Sequence, residues 1–179
     1  MGKVYAGIDE RNAAFIRAQH VFFVATAPTS LEGHLNLSPK GLDAFRILDP
    51  RTVAYLDLTG SGIETVAHLK ENGRIVLMFC AFEGAPRILR LHGRGEVLAE
   101  GDRDCAALLP LFPQHPGTRT LIRVRLDRIS DSCGFGVPRH RYEGERTQLT
   151  AWAEHKGPEG LAAYREEMNQ RSIDGLPGL

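Results

Sequence analysis

The chain has 179 residues, a formal net charge of zero from 22 basic and 22 acidic side chains, and 42% hydrophobic against 25% charged residues. The charge balance excludes the basic excess or stripe of a nucleic-acid binder, and the composition is that of a folded globular chain, not a disordered or fibrous one. Three cysteines without CxxC spacing make no disulfide framework, and no apolar run is long enough to span a membrane.

Residues 1–10 have no apolar core of signal-peptide length. With the cysteine usage, this gives the expectation of a cytoplasmic protein. Asp9 is placed to cap a short helix over residues 10–19, with Phe15 and Ile16 turned inward. Residues 21–26 are β-branched and aromatic, end before Pro28, and predict a buried strand. Residues 33–37 predict its hairpin partner. There Leu35 and Leu37 alternate with His34, Asn36 and Ser38, and Pro39-Lys40-Gly41 closes the strand.

A third strand is predicted over residues 52–58, followed by the turn Thr59-Gly60-Ser61-Gly62 and a helix to about Glu71. Ser61 and Glu64 have the spacing of a capping box, and Asn72-Gly73 is a helix stop. Strands follow over residues 74–82 and 87–98, the second bent or bulged at Gly93 and Gly95. A short helix over residues 102–111 and a strand over residues 120–129 complete this part. Beyond Ser130 an irregular connector leads to helices over about 145–155 and 158–170, the second with Pro158 in its first turn and Leu161, Tyr164 and Met168 at core spacing. The tail 172–179 is predicted to be extended. Hairpins outnumber βαβ units, which favours an antiparallel barrel or curled sheet.

Two segments gather groups that can bind a ligand. Asn36-Leu37-Ser38-Pro39-Lys40-Gly41 brings an amide, a hydroxyl and an ammonium to one strand end, where the ammonium suits a phosphate. A polar strand face running into a turn explains the same residues. Asp57-Leu58-Thr59-Gly60-Ser61-Gly62-Ile63-Glu64-Thr65 leads a glycine-flanked turn into a helix start, whose free N–H groups suit an anion. It matches neither nucleotide fingerprint, and a capped structural helix explains it equally. The seven histidines lack metal-ligand spacing. Trp152 is a core or interface residue, or a platform for a flat ligand.

Taken together, the run 53–57, the glycine/serine turn, residues 65–77, the strand Leu91-His92-Gly93-Arg94-Gly95-Glu96-Val97 and the upstream Asn36-Leu37-Ser38-Pro39-Lys40-Gly41 resemble the pyridoxamine 5′-phosphate oxidase-like family over about residues 15–129. The resemblance implies a mainly β, α+β fold: a split β-barrel with Greek-key order over residues 1–130, and a helical extension over 131–179 packing on the barrel or the partner subunit. It implies a homodimer with FMN in interface clefts and a small-molecule substrate, with no nucleic acid or membrane partner. Asn36, Leu37, Ser38 and Lys40 would lie along the flavin, Asp57 near its ring and ribityl chain, and Ser61, Gly62, Glu64 and Thr65 at its phosphate, with Arg87 and Trp152 as further candidates.

The sequence departs from the family pattern at one point: Glu64 and Thr65 stand where the family carries a basic pair. That leaves open a phosphate held by Thr65, Ser61 and backbone N–H groups with Lys40 or Arg87 supplying charge, or another cofactor (the deazaflavin F420 or haem), or none. The arginine/histidine signature of the true oxidase is also absent, so the expected activity is an oxidoreductase other than pyridoxamine phosphate oxidation, with a non-catalytic flavin-binding protein as the alternative.

Overall fold

The computed structural model describes residues 2–179. Eight antiparallel strands form one curled sheet: β1 Val4–Tyr5, β2 Phe22–Thr26, β3 Asn36–Lys40, β4 Phe45–Asp49, β5 Thr52–Leu58, β6 Arg74–Cys80, β7 Ile88–Leu98 and β8 Thr118–Ser132. Their order is β3-β2-β6-β7-β8-β5-β4, with β1 added beside β8. The long β7 and β8 pair along their length and carry the shorter strands on either side. With four helices around the sheet, the architecture is the expected mainly β, α+β split barrel.

The core follows from the strand pattern. Alternate residues of β2, β6, β7 and β8, such as Val24, Leu77, Leu91 and Val124, are fully buried. Phe22, Phe45, Tyr55 and Phe79 interlock among them with ring centroids 5.1–5.6 Å apart. At the predicted bend the β7–β8 register shifts between His92 and Gly93. There a Cβ on Gly93 would lie 2.1 Å from the Arg125 carbonyl oxygen, so only glycine allows the two backbones to approach.

Helix α1, Glu10–Arg17, is capped by the Asp9 carboxylate, which accepts from Asn12 N at 2.7 Å. Helix α2, Glu64–Asn72, stops at Gly73 in the left-handed conformation, φ 70°. Helix α3, Arg103–Leu108, runs into a short 3-10 turn, Leu109–Leu111. Helix α4, Gln148–Met168, is broken at Gly157, φ 64° and ψ 176°, with Pro158 opening the second half.

Several expectations need correction. Strands β1 and β4 were not anticipated: one is two residues long and the other is half-buried on both faces. The partner of β2 lies three residues later than predicted, and it is the polar face that turns inward. Leu35 and Leu37 are 80% and 66% exposed, while Asn36, Ser38 and Lys40 turn toward the protein body. No capping box forms: α2 begins at Glu64 with Ile63 as its N-cap, and the Glu64 carboxylate accepts from Ile173 N at 3.2 Å. The tail is not extended either. It doubles back, with Arg171 bridged to Pro177 and Gly178 N donating to Gln170 O at 2.8 Å. Met168 points outward, 39% exposed, whereas Leu161 is buried.

Candidate functional site

Strand β3 is an edge strand, which is why Pro39 is tolerated inside it. Its two-residue period puts Asn36, Ser38 and Lys40 in one inward row. At one end of the row the Asn36 amide donates to Thr65 Oγ1 at 3.0 Å and reaches Thr26 Oγ1 at 3.5 Å. The Thr26 hydroxyl lies 2.9 Å from His68 Nδ1. His68 is fully buried, and burial pushes its imidazole below the usual pKa, so the ring is neutral. At the other end the Lys40 ammonium lies 3.5 Å from Asp57 Oδ1. Between them Ser38 Oγ is buried without a partner among the described residues, as are Tyr55 O–H and His68 Nε2. Burial, reinforced by the Asp57 carboxylate, pushes the Tyr55 phenol well above its ordinary value and keeps it protonated.

Asp57 is the hub behind the row. Its Oδ2 lies 2.7 Å from Arg119 Nη2 and accepts from Thr120 Oγ1 at 3.4 Å. Arg119 is itself buried and donates onward to Asn169 Oδ1 at 2.7 Å and Gly62 O at 3.0 Å. The Asn169 amide donates to Gly60 O at 2.9 Å, and Arg165 donates to Thr59 Oγ1 at 2.9 Å. The glycine-flanked turn is thus fastened by the far end of α4. Arg119, Asn169, Arg165 and His68 went unnoticed in the sequence. Arg119 lies just before the predicted final strand, and the others are joined to the site only through contacts distant in the chain.

The start of α2 does not fit a phosphate. The Glu64 carboxylate is folded back beside Gly62, so close that a Cβ there would lie 2.5 Å from Glu64 Oε2. The tail lies across the same place: Ile173 N donates to Glu64, and Lys70 donates to Gly178 O. A dianion would meet an anion and an occupied helix end there. Thr65 is buried against Asn36, while Ser61 and Gly62 are exposed. The β3 row is different. It sets an unpartnered Ser38 hydroxyl between the Asn36 amide, which donates to Thr65, and the Lys40 ammonium, which pairs with Asp57.

The structure joins Asn36 to Thr65 and Lys40 to Asp57, and brings Ser61 and Gly62 to the same hub through Asn169 and Arg119. Leu37 faces outward from the row. Arg87 stands apart, donating to Asn12 Oδ1 at 2.5 Å and pairing with Asp131 at 3.2 Å. Trp152 also stands apart, edge-on to Tyr164 with centroids 5.0 Å apart. Of the sequence-predicted residues, Lys40 alone borders a cleft of about 910 Å³ between the end of β3 and residues 139–149. Among the described residues no group of His, Cys, Asp and Glu is arranged to hold a metal, and no helix is long and apolar enough to cross a membrane.

Comparison with known proteins places these features in context. Residues 8–133 match the family described as pyridoxamine 5′-phosphate oxidase. The pyridoxamine 5′-phosphate oxidase family protein ustO of Aspergillus flavus is 38% identical over 192 aligned residues, spanning 98% of this chain and 77% of that one. Among solved structures, HupZ of Group A Streptococcus superposes with a TM-score of 0.55 at 20% identity, covering 75% of this chain and 99% of its own. An FAD-binding protein of Mycobacterium smegmatis superposes with a TM-score of 0.51 at 11% identity, covering 73% and 96%. At those identities the two structures report on the fold.

Proposed function

Because the chain belongs to the pyridoxamine 5′-phosphate oxidase family, we propose that it is a dimeric flavin-dependent oxidoreductase holding the ring of its cofactor along β3. The observation that carries this reading is the row Asn36, Ser38 and Lys40, with a buried Ser38 hydroxyl that has no partner inside the chain. A buried orphan of this kind is costly unless something else bonds to it. When bound, a flavin supplies the hydride and electron chemistry, so the protein needs no acid–base set of its own. The chain's residues do the rest. Asn36 and Ser38 orient the ring edge. Lys40 places a positive charge beside it, and Asp57, itself held by Arg119, fixes where that charge sits. A second copy of the chain is proposed to cover the outer face of β3, where Leu35 and Leu37 stand exposed, and so to close the cofactor cleft at the interface.

The first test is the absorbance spectrum of the purified protein, with mass analysis of the ligand released on denaturation. FMN is expected. A colourless protein that takes up no added FMN would refute the reading. The Glu64 carboxylate at the helix start favours a second reading, in which the cofactor sets no phosphate there. A deazaflavin mass or a haem Soret band in the same experiment would establish it. Reduction of the bound flavin by NADH or NADPH, followed by transfer to an acceptor, separates an enzyme from a non-catalytic flavin-binding protein.

A further inference from the structure

The cleft beside Lys40 has features that the cofactor row does not explain. Its volume of about 910 Å³ lies within the range of small-molecule sites. One wall is the end of β3 and the residues before β2, including Val21, Pro39 and Leu42. The other is the segment 139–149, which is tied across the opening. His140 N donates to Phe82 O at 3.1 Å, Tyr142 N to Glu83 Oε1 at 3.0 Å, and Leu42 N to Glu145 Oε2 at 3.3 Å. Tyr142 is held flat by stacking on His20, with centroids 3.5 Å apart and an interplanar angle of 6°. Leu42, which lines the cleft, and the following Asp43 keep the left-handed conformation at φ 61° and 52°. Aspartate tolerates such angles, whereas a leucine adopts them seldom.

The charges in this cleft are unequal in availability. Both acids of the lining, Glu83 and Glu145, already accept bonds from the backbone, and Glu145 accepts a further one from Tyr142 O–H at 3.1 Å. Arg141 and Arg146 line the same cleft, are exposed, and enter no ion pair among the described residues. Of the three cations of the lining, Lys40 is paired with Asp57, which leaves Arg141 and Arg146 as the two without a partner acid. Apolar walls ending in two free guanidinium groups suit a flat apolar body that carries a carboxylate, sulfonate or phosphate.

We propose that the cleft between β3 and residues 139–149 is the substrate site, that it takes a planar aromatic anion, and that Arg141 and Arg146 select the charge. The word substrate rests on the oxidoreductase reading above; the binding of such an anion does not. The site adjoins the cofactor row because Lys40 belongs to both.

The test is a pair of fluorescent probes with one skeleton, titrated into the full chain: 8-anilino-1-naphthalenesulfonate and the uncharged N-phenyl-1-naphthylamine. The sulfonate is expected to bind about tenfold tighter or better, one per chain. R141E/R146E should abolish that preference and leave the neutral probe unchanged. R141Q/R146Q, which adds no acid, should remove most of it. L149W, which fills the cleft from the start of α4, should weaken both probes. Equal affinities in the parent protein, or a preference that survives R141E/R146E, would overturn the proposal. The flavin spectrum of the same preparations separates the two readings. A yellow protein blind to probe charge refutes only the anion cleft. A colourless one that discriminates the probes, and takes up no FMN, refutes only the oxidoreductase.

Discussion

Replacing Asp57 by asparagine tests the joint between the barrel and the helical extension. The change keeps the side-chain size and removes one charge. Asp57 and Arg119 expose only 1% and 3% of their side chains, and their closest N···O distance is 2.7 Å. Without the carboxylate, a buried guanidinium keeps only neutral partners, Asn169 Oδ1 and the Gly62 carbonyl. Breaking one side of a buried pair costs about 3–5 kcal/mol, because the surviving charge is left uncompensated. The Lys40 contact adds little: at 3.5 Å, with 22% of the lysine exposed, it belongs with pairs worth about 0–1 kcal/mol. For a chain of this length each kcal/mol moves Tm by about 2–4 °C, so the midpoint should fall by roughly 6–20 °C. Urea unfolding followed by circular dichroism checks this, with an unchanged m-value showing that the unfolded reference has not moved. The cycle through Arg119→Met and the double variant should give a coupling of about 0.5–3 kcal/mol. A loss below about 1 kcal/mol for D57N at constant m would refute the claim that this pair is a buried, dry hub.

Four further outcomes follow from the same structure. Asn169→Ala removes the partner of Gly60 O and of Arg119, and should cost about 1–3 kcal/mol; hydrogen exchange should speed up selectively in the second half of α4. Gly93→Ala puts a Cβ 2.1 Å from the Arg125 carbonyl and should destabilise the chain by at least about 1–3 kcal/mol, with loss of β7–β8 amide protection. Gly84→Ala, where a Cβ meets nothing, should cost only the left-handed backbone term of about 1–2 kcal/mol. The fourth outcome concerns pH. Burial lowers the folded-state pKa of His68, and of His92 and His115. The unfolded chain therefore binds protons below about pH 6.5 that the folded chain refuses. Stability should fall as pH drops through that point, and the fall should end once pH passes below the depressed folded values. His68→Gln should make the slope between pH 6.5 and 5 shallower, and an identical slope would show that His68 takes no part.

Much of the sheet is legible in the sequence, because burying alternate residues writes a two-residue period into residues such as Leu89, Leu91, Ile122 and Val124. The stop at Gly73 and the bend at Gly93 are legible for the same local reason, since each position admits little but glycine. The reading inverts at β3. Alternation there points to Leu35 and Leu37 as the inward face, yet the fold turns Asn36, Ser38 and Lys40 in. A strand that places its polar side inward breaks the usual hydrophobic logic, and such a break is expected where a polar ligand or partner completes the structure.

The same reasoning explains the failed capping box. Glu64 has the right spacing from Ser61, but a peptide N–H from Ile173, over a hundred residues away, takes its carboxylate. No local pattern can report a competitor that only the folded chain delivers. The helical extension is therefore more than an appendage read from composition. It supplies Asn169 to the turn, Ile173 to the helix start and Arg141 with Arg146 to the cleft. The extension thus lies across the start of α2 and brings two cations to the cleft at the end of β3. An acid stands at the start of α2 and two arginines without an ion pair among the described residues stand at the cleft, a local separation of charge that the chain's net charge of zero conceals.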